Sequence, residues 1–112
     1  MELAFRTRSL RSLCGDEAIA DQQLGRNLAT ELRARIADLR AATSFDDIVA
    51  GQPAFLNGQD PRAIIALGEG VTIVIRPNHP DPARNLEPQI DWKQVYRIRI
   101  DEVTMPQARE AR

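Results

Sequence analysis

The residues of this chain best equipped for chemistry are its arginines. Of fifteen basic residues fourteen are arginine, and Lys93 is the one lysine. A guanidinium presents a planar fork of donors that grips a phosphate or a carboxylate through two bonds at once. The bias has a second reading, the codon usage of a GC-rich genome. Arg76, Arg97 and Arg99 fall in two alternating apolar segments, on one side of them, and Thr72 shares that side. Arg76 reads as a phosphate ligand or as a strand-end arginine paired with an acid such as Asp101. The single histidine, His79, follows Arg76 at a loop entry. Its ordinary pKa suits acid–base work, as any histidine's does; the other readings are a phosphate contact or a loop residue with no role. Trp92 is a candidate base-stacking platform or a turn residue that seals the sheet edge.

Other chemistries lack their residues. One cysteine and one histidine cannot build an internal disulfide or a Cys/His zinc site. No metal and no cofactor is expected. Cys14 reads as a small buried apolar residue, because a nucleophile needs a base and the only histidine is far away in sequence. Asp46 and Asp47 resemble a carboxylate pair, but they sit in the first turn of a short helix, where capping explains them.

Elements must position these groups. The 112 residues suffice for one domain with a modest core. From Asp16 to Ala42 the apolar residues Leu24, Leu28, Leu32, Ile36 and Leu39 recur at spacings of four, four, four and three. That is one helical stripe about 120° wide. Gly25 is its interior weak point, costing roughly 1 kcal/mol relative to alanine, and the helix is open to a break there. Ahead of it, Met1–Arg6 alternates like a strand. A short helix capped by Thr7 or Ser9 then runs to Gly15. Behind it, Ser44 and Asp47 suggest a capping box, with Phe45 and Ile48 tucked onto the core. Gln52–Pro61 reads as a loop. Arg62–Leu67 and Val71–Arg76 are strands joined by a tight turn at Gly68–Gly70. The second is apolar on both faces and belongs at the sheet centre. Pro77–Pro88 is a proline-rich excursion. Val95–Val103 is the last strand, with Tyr96, Ile98 and Ile100 toward the core and Arg97, Arg99 and Asp101 outward. The expectation is an α+β domain over residues 1–103, its N-terminal strand and helices packed on one face of an antiparallel sheet. Residues 104–112 form a polar tail.

The net charge of −1 gives no overall field that would draw the chain to nucleic acid or to a membrane, although a local basic face is compatible with it. The start of the chain has no apolar run long enough for a signal peptide or a membrane span. No membrane partner and a cytoplasmic location are therefore expected.

The segments MELAFRTRSLRSLC, LGRNLATELRARIADLRAATS, VTIVIRPNH and IDWKQVYRIRI occur in this order. Together they resemble HigB-like toxins of the RelE/ParE superfamily of type II toxin–antitoxin systems, over roughly residues 1–101. That family fold is a strand, two helices and an antiparallel sheet. The resemblance implies ribosome-dependent, metal-independent cleavage of mRNA, in which a ribose 2′-hydroxyl attacks the neighbouring phosphate. Such a reaction needs a base, an acid and cations for the developing charge. It implies a helix-turn-helix antitoxin as partner, with the ribosome and mRNA as targets. Arg76, His79 and Arg97 are then the candidate catalytic residues. Arg99, Lys93, Trp92 and Thr72 are candidate RNA or phosphate contacts. The chain departs from the family pattern in three places. Val71-Thr72 stands where relatives carry Tyr-Arg; QPAFLNGQDPR lacks the family's His-Pro-Leu-Lys type segment; and the C-terminus has no histidine. Either Arg76, His79 and Arg97 form a shifted catalytic set, or the fold persists as a binder that does not cleave.

Overall fold

Local capping sets where the chain turns into helix. The Thr7 hydroxyl accepts from the Leu10 N–H and opens α1 (Arg8–Gly15). The Asp16 carboxylate accepts from the N–H groups of Ala18 and Ile19 at 2.9 and 3.2 Å and opens α2 (Glu17–Leu24). The long apolar stripe then breaks at Gly25, whose φ of 83° and ψ of 159° lie in a region open essentially to glycine alone. α3 (Arg26–Ala41) follows and buries Leu28, Leu32, Ile36 and Leu39. The stripe is therefore carried by two helices, and the break falls at Gly25, where the sequence left the helix open to one.

The computed structural model describes residues 1–48, 50–56, 60–78 and 92–105. Among these, five strands make one sheet: β1 (Glu2–Phe5), β2 (Ala54–Leu56), β3 (Arg62–Gly68), β4 (Val71–Pro77) and β5 (Arg97–Thr104), in the order β1-β5-β4-β3-β2. β4 is central, as its two apolar faces required. The β3–β4 turn uses positive φ at Gly68, Glu69 and Gly70. The sheet is mixed, not antiparallel throughout: β1 lies parallel to β5, pairing Leu3 with Ile98 and Phe5 with Ile100. Alternation of side chains is the same in either direction along a strand, so the pattern could not fix this. β2 falls inside the stretch read as loop. At three residues it is too short to show a period.

One face of the sheet supplies Ile65, Leu67, Ile73, Ile75, Ile98 and Ile100 to a core shared with the helix stripe and with Phe45 and Ile48. The Met1 ammonium ties β1 to the end of α3 by donating to the carbonyls of Leu39, Arg40 and Ala42. Two details of β5 differ from expectation. Tyr96 is 53% exposed, because the chain before Arg97 is not yet strand and Val95 is buried in its place. A bulge also interrupts the β4–β5 ladder: Val74 pairs with Glu102 and Ile75 with Ile100, which leaves Asp101 as the extra residue. No helix among the described residues is long and apolar enough to cross a membrane.

Candidate functional site

The outer side of β4 and β5 carries a network of ionised side chains. Arg76 and Arg99 are register partners on these two strands. Both guanidiniums converge on Asp101, which is the only buried charged residue among those described. Arg99 grips it with two bonds, Nε to Oδ1 and Nη2 to Oδ2 (2.5 and 3.1 Å). Arg76 donates to Asp101 Oδ2 from Nη1. The remaining edge of Arg76 is bidentate to Asp60, with Nε–Oδ1 and Nη2–Oδ2 both 2.9 Å. The result is a chain Asp60–Arg76–Asp101–Arg99 with no net charge.

Position in the fold explains these pairings. The bulge leaves Asp101 unpaired on β5, two residues beyond Arg99, and Arg99 is the register partner of Arg76. Asp60 lies in a bend just before Pro61, ahead of the start of β3. The two acids are unlike in access: the Asp101 side chain is 3% exposed and that of Asp60 is 65% exposed. Burial alone would push the Asp101 carboxyl up, but the hydrogen bonds from Arg99 and Arg76 outweigh it and hold the group below the usual carboxylate range. The hydrogen bonds from Arg76 likewise lower Asp60. Both guanidiniums are held more firmly protonated than usual, Arg76 mainly by Asp60 and Arg99 mainly by Asp101.

The other residues singled out from sequence divide as follows. Arg97 leans toward β1, pairing with Glu2 at 3.3 Å and lying over the Tyr96 ring. Thr72 is on the same face as Arg76, but four residues along β4, which is about 13 Å of strand. Its register partners are Ala66 and Thr104, so it stands at the far end of the face. Trp92 is buried: its ring meets Phe45 edge-on and Phe55 at a tilt, both at 5.3 Å between centroids. A ring enclosed in this way is core, not an open platform for a base. Phe55 on β2 is the exposed member of that cluster, at 39%. His79 lies outside the described residues, as do the side chains of Lys93 and Asp46.

Asp60 is the member of the network that the sequence did not single out. It sat among turn residues, and only the fold brings that bend to Arg76. Asp47 uses its carboxylate structurally, accepting from the Thr43 N–H at 2.9 Å. Cys14 is buried, and burial pushes its thiol up to about 11, which leaves it inert near neutral pH. No group of three or more potential metal ligands exists among the described residues. Two surface hollows, one by Asp38, Ala42 and Asp47 and one by Gly25, Asn27 and Glu69, do not include Arg76 or Arg99.

Comparison of the chain with protein-family models, with curated proteins and with solved structures gives no match.

Proposed function

We propose that the chain is the toxin component of a type II toxin–antitoxin pair, a RelE/ParE-like fold that cleaves mRNA on the ribosome in the cytoplasm without a metal. The observation that carries the reading is the convergence of Arg76 and Arg99, from paired strands, on a single oxyanion-bearing group. Two guanidiniums that can close on one oxyanion suit a phosphodiester in line for cleavage, since charge grows on its oxygens in the transition state. The resemblance of four ordered segments to HigB-like toxins supplies the reaction. In it Arg76 and Arg99 steady the phosphate, with Arg97 as a further cation. His79 is the acid–base group beside the ribose 2′-hydroxyl or the leaving oxygen. Lys93 is an added contact to the RNA backbone. A helix-turn-helix antitoxin is the partner that the resemblance implies, and the arginine-bearing face is one that an acidic segment could cover.

A second reading has its own observation. Both guanidiniums already hold carboxylates, and Thr72 occupies the position of the arginine found in the relatives this chain resembles. Loss of a transition-state cation costs several kcal/mol. On this reading the face binds RNA or a protein and does not cut. Induction of the chain in a bacterial host separates the two. Growth arrest by the native chain that Arg76→Ala abolishes is the expected result. Arrest only after Thr72→Arg assigns the native chain to the binder that does not cleave. No arrest with either removes the ribonuclease reading.

A further inference from the structure

The two acids on Arg76 do different work. Asp101 is buried and takes one side of the guanidinium, so it fixes the plane and the direction of the fork. Asp60 is mostly exposed and takes the Nε/Nη2 edge, the one edge turned toward solvent. An ion pair this exposed is weak, and its carboxylate can leave without desolvating anything. A phosphodiester presents the same pair of acceptor oxygens and the same single charge to the same edge.

We infer that Asp60 is a built-in competitor for the phosphate site: its carboxylate occupies the outward fork of Arg76 and must be displaced by a backbone phosphate of single-stranded RNA before the site can act. This rests on the reading of the β4–β5 face as the RNA-binding face. Asp60 is then neither a catalytic residue nor part of the core. It sets the threshold at which the site takes its ligand, and Asp101 is the positioning residue that keeps the fork aimed while the exchange occurs. Removing Asp60 takes away a competitor and also a negative charge beside the incoming phosphate. The two effects act in the same direction.

The test is titration of a labelled single-stranded RNA decamer into the native chain, Asp60→Ala, Arg76→Ala and the double variant, at low salt. Inorganic phosphate is run in parallel as competitor. Asp60→Ala should bind the RNA about five- to tenfold more tightly. That gain should vanish in the double variant, and inorganic phosphate should compete better against Asp60→Ala than against the native chain. Thermal midpoints confirm that every variant is folded. Equal affinity of the native chain and Asp60→Ala, with Arg76→Ala still weaker, overturns the competitor and leaves the RNA face standing. RNA affinity indifferent to Arg76→Ala, or no binding by any variant, overturns both.

Discussion

Asp101 is a charged side chain that the fold has taken out of water, and its two arginines make this tolerable. Replacing it with asparagine leaves Arg76 and Arg99 without their shared anion. Breaking a fully buried pair costs about 3–5 kcal/mol; here both arginines reach solvent, so about 2–3 kcal/mol is expected for Asp101→Asn at neutral pH. The sign of its pH dependence follows from the lowered carboxyl. A carboxyl whose folded pKa lies below its unfolded value contributes stability above the unfolded value, near 3.9, and loses it as pH falls through the folded value. Urea unfolding should therefore show the native chain well ahead of Asp101→Asn at pH 7 and the gap closing below about pH 4. A gap that does not narrow at all as pH falls below about 4 would contradict this. At this scale the sequence allowed Arg76 to pair with Asp101, and the pairing exists. It could not show that Asp101 is buried, because alternation pointed it outward with Arg97 and Arg99. The bulge that encloses it leaves no mark in the residue pattern. Asp60 was illegible for a plainer reason: nothing local to a loop acid says which strand end it will meet.

Two glycines hold the elements in place by different physics. Gly51 has a φ of 86°, and a Cβ there would lie 2.4 Å from Ile65 Cγ2 and 2.9 Å from the Ala66 carbonyl oxygen. Its own carbonyl accepts from the Ala66 N–H at 2.9 Å, so the close approach also secures a backbone bond to β3. Gly25 has open space around the missing Cβ, and only its backbone geometry demands glycine. Gly51→Ala should therefore cost about 2–4 kcal/mol, from strain plus overpacking. Gly25→Ala should cost about 1–3 kcal/mol from strain alone. Chemical denaturation of the two variants checks the order, and a Gly25→Ala chain more stable than the native one would show α2 and α3 able to fuse. Element positions were largely legible: the caps at Thr7 and Asp16, the turn at Gly68–Gly70 and the central place of β4 all follow from local residue types. Direction and length limits were not. β1 runs parallel to β5 and β2 is three residues long, and neither fact has a sequence signal that distinguishes it from its opposite.

The whole molecule places its helices and core on one side of the sheet and its paired arginines on the other. Its net charge of −1 is echoed by the internally neutral network, so no broad positive field would draw in RNA. On the proposed function, specific occupancy of the Arg76–Arg99 site has to do that work. The α+β class and the arginine-bearing face could be read from alternation and spacing. The RNA-cleaving role is a proposal that rests on the resemblance to the toxins together with this face. The most direct test is a cell-free translation reaction given the purified chain, with the ends of a translated mRNA mapped by primer extension. The account predicts cuts within translated codons, absent when ribosomes are withheld and absent with Arg76→Ala. Intact mRNA with the native chain, or cuts that persist unchanged with Arg76→Ala, would contradict it.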